Sequence, residues 1–404
     1  MKAREILILC VASLLLGVAA VDAGAQSAAT APAKAPAALT PATAPARAGQ
    51  SFALIVTGKS GSKVYARRFG DWTKRFHAYL TKNASIPSAN IVVLCGDKEL
   101  VDKKDPMAGT LATTDSIAKA IGEMSRKVGP QDQFILVMIG HGSLSNSRAQ
   151  FVVSGPQLDA EQLGKALASI QAKNQVIMNF SGAGGDFLKV LASRNAQPGR
   201  VDIAATRGNE WAEPVFCEFF LQGLETDKVR AAAGAPASAK SGPVTLLEVF
   251  NWASYQSAQW ISRQEIDDDG NFVVKGKETV ALFKKLCSGD EGEAGAQKMS
   301  SESDEAGADA VVDLANPKDK ETALTWNHRR IINEHAMLDD ASGLLTPPAS
   351  KNPASAAGDE DFAGVTALDI DAGYKPVPIG KAGEQGNLAA HTVLGKCDRL
   401  EVEK

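Results

Sequence analysis

Residues 134–143 read Phe134-Ile135-Leu136-Val137-Met138-Ile139-Gly140-His141-Gly142-Ser143. Six apolar residues in a row, stopped by a glycine, suit a strand buried on both faces, the central position in a parallel sheet. The signature repeats on either side. Residues 52–57 are an apolar run ending at Gly58, and 89–94 form a second strand; after the central run, 175–178 and 201–205 are strands too. Helical spacing falls between them: Trp72, Phe76, Tyr79 and Leu80 mark a helix over 71–83, with further helices at 114–128, 158–170, 186–192 and 214–224. Strand and helix in alternation predict a three-layer α/β domain with a mostly parallel central sheet. Beyond Gly242 the alternation stops at a long amphipathic helix, 245–262, whose Trp252, Tyr255 and Trp260 read as core.

The rest of the chain is arranged around that domain. Lys2 and Arg4 precede an apolar run over 6–20, and Ala23-Gly24-Ala25 follows as a small-x-small site. This is the layout of a secretory signal peptide covering 1–25, which places the protein in the periplasm or outside the cell. Residues 26–50 are mostly Ala, Pro and Thr, an extended linker. The domain proper spans 51–262. An acidic insertion occupies 263–325, its Ser/Gly/Ala-rich part predicted to be disordered. A closing segment takes 326–345, and 346–404 is linker and tail. No second apolar run is long enough to span a bilayer, so no stable membrane insertion is expected once the signal is removed.

Of the 404 residues 44% are hydrophobic and 22% charged, the balance of a globular protein. A formal net charge of -4 excludes nucleic acid as a partner drawn by bulk electrostatics. With Cys10 in the signal, the mature chain keeps Cys95, Cys217, Cys287 and Cys397, enough for two disulfides in any of three pairings. Asp267-Asp268-Asp269-Gly270-Asn271 lacks the ligand spacing of a calcium loop and reads as a solvated turn. Neither a metal nor a cofactor is expected.

Ligands of parallel sheets bind beyond the carboxyl ends of the strands. Two such ends carry chemistry here: Gly140-His141-Gly142-Ser143, and Asn179-Phe180-Ser181-Gly182-Ala183-Gly184-Gly185. A histidine on one strand end and a small hydroxyl on its neighbour make a base and nucleophile layout, and the flanking glycines let backbone N–H groups approach an oxyanion.

These segments resemble the legumain family of the caspase clan, in its secreted bacterial form. Gly129-Pro130-Gln131-Asp132-Gln133, the apolar strand and Gly140-His141-Gly142-Ser143 are similar to the stretch that leads to that family's catalytic histidine. His77-Ala78-Tyr79, Ile86-Pro87, Ile91-Val92-Val93, Ala205-Thr206-Arg207 and residues 333–340 follow the family order. The resemblance covers 51–262 and returns near 326–340. It implies a caspase/legumain-like fold with His141 as base, position 181 as nucleophile, and an oxyanion hole from the Gly142 and Ser181 amides. It also implies a peptide or protein ligand, with Arg67, Arg68, Asn179 and Glu210 as candidates to bind it.

The chain departs from the family where catalysis is decided. The nucleophilic cysteine is Ser181, the acidic residue two before it is Asn179, the serine two after it is Ala183, and the asparagine that orients the histidine has no counterpart in 58–69. A thiol ionises readily beside a histidine; a hydroxyl must lose its proton during attack and needs a well-oriented base. Asp132 stands at the wrong end of its strand for that task, and Asp186 opens a helix. Cys217 and Cys95 read as structural. The expectation is an impaired peptidase homologue that keeps its His-Gly cleft for binding or scaffolding. The alternative is an endopeptidase or acyl-transfer enzyme that uses Ser181 with His141.

Overall fold

Strand β1 (Ser51–Thr57) opens the fold, and α1 (Lys63–Lys82) follows it. Ser62 caps α1 by accepting the Tyr65 N–H through its side chain. Then come β2 (Ile91–Cys95), β3 (Thr110–Leu111) and α2 (Thr114–Ser125), the last started by a reciprocal box between Thr113 and Ser116. The central run is β4 (Gln133–Ile139), which leads through β5 (Gly142–Ser145), β6 (Arg148–Phe151) and β7 (Leu158–Asp159) into α3 (Ala160–Leu167). The series continues with β8 (Asn174–Phe180), α4 (Gly184–Arg194), β9 (Arg200–Ala204), α5 (Phe216–Glu225) and α6 (Leu246–Ser262). Short strands β10 (Gln264–Ile266), β11 (Phe272–Val274), β12 (Ala310–Val312) and β13 (Met337–Asp339) and the helix α7 (Asn387–His391) complete it. This computed structural model describes residues 48–97, 109–145, 148–194, 199–206, 215–226, 229, 242–262, 264–266, 272–274, 277, 281–282, 310–312, 336–339 and 387–398.

The main sheet has seven strands in the order β13-β9-β8-β4-β1-β2-β3. All its neighbours run parallel except β13, which joins β9 antiparallel at the edge. Strand β4 sits in the middle and all seven of its residues are buried. Its alternate side chains go to opposite cores, as a strand's period of two requires. Ile135, Val137 and Ile139 join Phe69, Trp72 and Phe76 of α1, Phe216 and Phe220 of α5, and Val249 and Phe250 of α6. Phe134, Leu136 and Met138 join Ile117 and Ile121 of α2, Leu163 and Leu167 of α3, and Phe187 and Leu191 of α4. Helices therefore cover both faces, and the predicted three-layer α/β domain is present.

Several details differ from the sequence expectation. Helix α1 begins two turns earlier than the apolar spacing indicated, because Ser62 supplies its cap ahead of the polar stretch at Lys63 and Arg67. Residues 158–170 are split, with β7 ahead of α3 and a capping box from Asp159 to Gln162 between them. Strands β5, β6 and β7 form a separate three-stranded antiparallel sheet after His141. Cys95, Cys217 and Cys397 are free thiols, the first two buried. Among the described residues no helix is long and apolar enough to cross a membrane. The proposed signal peptide, almost all of the linker, Cys287 and most of the acidic insertion lie outside the described residues.

Candidate functional site

The parallel register puts the two chemical strand ends side by side. Strands β4 and β8 pair Met138 with Asn179 and Ile139 with Phe180, so His141 and Ser181 leave adjoining strands at the same end of the sheet. Gly142 packs against the turn that carries Ser181. A β-carbon on Gly142 would overlap the Gly182 carbonyl oxygen and stand 2.9 Å from Ser181 Oγ. Only glycine fits at 142.

His141 is half-buried and held on several sides. Its Nε2 lies 2.8 Å from the Ser60 carbonyl oxygen in the loop after β1. The ring meets Tyr65 edge-on at 4.8 Å between centroids and Phe69 at 5.2 Å. Those two aromatics are four residues apart in α1 and so share one helix face. The His141 backbone carbonyl accepts the Val152 N–H, which fastens the small antiparallel sheet to the same loop.

Ser181 is wholly buried, with 0% of its surface exposed. Its hydroxyl donates to Asn179 Oδ1 at 2.6 Å and lies 3.2 Å from the Gly182 carbonyl oxygen. Thr206, beyond β9, pins the loop from the other side. Its hydroxyl donates to the Ser181 carbonyl at 3.1 Å and accepts the Gly184 N–H at 2.9 Å. Between those points Ala183 takes φ +53, the left-handed region that a side chain seldom adopts. The turn from β8 into α4 is thus sharp and pinned at both ends.

The other predicted positions are spread out. Arg67 is exposed on α1. Arg68 is buried, its guanidinium over the Tyr65 ring at 5.1 Å, so it reinforces the aromatic that holds His141. Asn179 is buried beneath Ser181. Glu210 lies outside the described residues. Asp132 sits ahead of β4, at the opposite end of the sheet from His141, where its carboxylate accepts the Gln50 and Gly129 N–H groups at 2.7 Å each. Asp186 pairs with Lys189 one turn along α4. Among the described residues no group of His, Cys, Asp and Glu is placed to hold a metal ion.

Sequence reasoning did not single out Ser60, Tyr65 or Phe69, the residues around the histidine. Ser60 acts through its backbone, for which a sequence carries no signal beyond the run Gly58-Lys59-Ser60-Gly61. Tyr65 and Phe69 do carry one, an i, i+4 aromatic pair immediately after the β1 loop.

A scan against models of protein families matched nothing in this chain, and no curated protein matches it.

Proposed function

We propose that this chain is an exported, legumain-like peptidase homologue whose His-Gly cleft binds peptide without cutting it. The observation that carries the reading is the state of Ser181. A nucleophile needs an exposed oxygen whose proton is directed to a base. The Ser181 hydroxyl is buried, and neither of its two acceptors, Asn179 Oδ1 at 2.6 Å and the Gly182 carbonyl oxygen at 3.2 Å, is a base. Of the two acids nearest in sequence, Asp132 sits at the amino end of β4 and Asp186 is ion-paired with Lys189 on α4. What the site keeps is the framework that suits peptide binding, a fixed histidine beside a glycine whose backbone faces a strand end.

The reading in which Ser181 is an active nucleophile draws support from one feature, the closeness of Gly142 to Ser181 Oγ. A fluorophosphonate probe and a fluorogenic peptide library separate the two. The binding reading expects silence from the wild-type protein and saturable binding of peptides that His141→Ala weakens. Probe labelling or turnover lost in both His141→Ala and Ser181→Ala would make the protein a serine peptidase. Activity gained in Ser181→Cys would mark a cleft that has lost only its nucleophile.

A further inference from the structure

Strand β5 starts directly after His141 and has a neighbour on one side only, since the small sheet runs in the order β5-β6-β7. It pairs with β6 antiparallel, Gly142 with Phe151, Ser143 with Gln150, Leu144 with Ala149 and Ser145 with Arg148. In such a ladder alternate residues turn their N–H and C=O toward the partner strand. The phase is fixed where the strand begins, because the His141 carbonyl accepts the Val152 N–H at 3.0 Å. Ser143 and Ser145 follow at intervals of two and face β6 in the same way. The N–H and C=O of Gly142 and Leu144 therefore point to the other side, and among the described residues no backbone group pairs with them.

This open edge borders the cleft, because Gly142 packs against the Gly182 backbone in the turn that carries Ser181. Edge strands that stay unpaired are commonly guarded by lysine, other charges or proline. Gly142-Ser143-Leu144-Ser145 has none of these, and Leu144 is only half-buried. Unpaired N–H and C=O groups at every second residue are matched by one kind of ligand, another extended backbone. A second copy of the chain is a poor fit. Four residues reach only about 13 Å along the strand. A pairing of that length falls well short of the roughly 1,200 Å² that a stable interface buries.

We propose that the free edge of β5 is a docking strand: an extended peptide adds to it as a further strand, exchanging N–H and C=O bonds with Leu144 and running on past Gly142 beside His141. The proposal rests on the peptide-cleft reading and adds the binding mode to it. The ligand class is a peptide recognised through its main chain, with no charge called for where it meets β5.

The test is amide hydrogen exchange by NMR, with and without the tightest binder from an array of short, end-capped, Thr/Val-rich peptides. In the free protein the Ser143 N–H exchanges slowly and the Leu144 N–H fast. Bound peptide is expected to slow Leu144 and leave Ser143 unchanged. Leu144→Pro removes the outward donor and spares the ladder to β6, so it weakens peptide affinity about five-fold, the scale of one net hydrogen bond. Leu144→Ala keeps the donor and binds more tightly than the proline variant. A Leu144 amide that exchanges equally fast with peptide bound would overturn the proposal, and that readout holds whether or not the proline variant folds. Dimers that protect Leu144 without peptide would give the edge to a second copy and overturn it as well. The cleft reading is tested separately on the same samples. Peptide binding lost in His141→Ala with Leu144 unprotected sinks the docking strand alone. Protection of Leu144 by a peptide that His141→Ala binds as well as wild type sinks the cleft reading alone, and an array from which nothing binds sinks both.

Discussion

At the scale of single residues, the site turns on whether Ser181 is a nucleophile or a strut. Active-site groups are often held at some expense to stability, so their removal is commonly neutral or stabilising. A strut behaves in the opposite way. In Ser181→Ala the buried Asn179 Oδ1 loses its donor, next to an Nδ2 that has no hydrogen-bond partner among the described residues. The expected cost is about 1–3 kcal/mol, read as a lower urea midpoint at an unchanged slope. A variant as stable as wild type, or more so, would return Ser181 to the role of nucleophile. Gly142→Ala makes the companion prediction. Its methyl meets the Gly182 backbone, which cannot rotate away, so a loss of about 1–3 kcal/mol and weaker peptide binding are expected together. Loss of stability with peptide affinity intact would place Gly142 outside the cleft. The sequence made His141, Gly142 and Ser181 visible because they end apolar strands. It hid the direction of the Ser181 hydroxyl, since that depends on a buried partner two residues earlier in the same strand.

At the scale of elements, buried charge joins pieces that the hydrophobic pattern only places near each other. Glu218 of α5, 1% exposed, accepts from Trp72 Nε1 at 2.8 Å and from Arg75 at 2.7 Å, both on α1. Arg75 also forks onto Glu225. Burial works against the charge of Arg75, but the bonds to Glu225 and Glu218 more than offset it and hold its pKa above the usual range. Glu218→Ala takes the acceptor from the Trp72 indole N–H and from Arg75 Nη1, and is expected to cost about 3 kcal/mol in denaturant unfolding. At the other edge, β9 and β13 place Asp202 directly opposite Asp339. Burial pushes the Asp202 carboxyl up to about 6 from 3.8; Arg200 pulls it down, and Asp339 raises it again. With the folded value above the unfolded one, the folded state keeps a proton that the unfolded state releases between roughly pH 4 and 6. This group's contribution is therefore favourable at low pH and is lost as the pH climbs through about 6. Asp339→Asn removes the repulsion and leaves the bond from Arg200 to Asp202 in place. It is expected to stabilise the protein by about 1 kcal/mol at pH 8, with little gain at pH 3.5, and to flatten the pH dependence between. A pH-independent effect would show that the two carboxylates do not interact. None of this pairing was legible beforehand. Apolar runs announce strands, but a three-residue antiparallel edge strand whose register aligns two acids has no periodic signal.

At the scale of the whole molecule, the unpatterned carboxyl-terminal residues are part of the fold, and they close the end of the sheet opposite the site. Helix α7 and the turn after it put Ala389, Ala390 and Leu394 into the core beneath α6. The main attachment is polar. Gln133, the first residue of β4, donates through Nε2 to the carbonyls of Val393 and Lys396 and accepts the Gly395 N–H through Oε1. Asn174, the first residue of β8, donates to the Cys397 carbonyl. Both are amino-terminal ends of strands, whereas His141 and Ser181 lie past the carboxyl-terminal ends, so this segment lies at the opposite end of the sheet from them. The pattern explains why the tail could not be placed from sequence: five helical residues and a turn bind through backbone groups, and Gln133 shows its purpose only once its partners are known. Removing residues 387–404 takes away four buried apolar side chains, Ala389, Ala390, Val393 and Leu394, and leaves the fully buried Gln133 amide without these partners. Apolar burial alone is worth roughly 3–6 kcal/mol here, and the stranded amide adds about 1–3 kcal/mol. That is a large part of the stability of any domain, so the truncated chain is expected to be unfolded or only marginally folded at room temperature. Gln133→Leu tests the polar part by itself, because it keeps the volume while removing the Gln133 bonds to Val393, Gly395 and Lys396; a drop of several degrees in Tm is expected, with the proposed peptide binding at the far end of the sheet unchanged. A truncated chain that melts with the intact one would mean that the sheet closes without its tail.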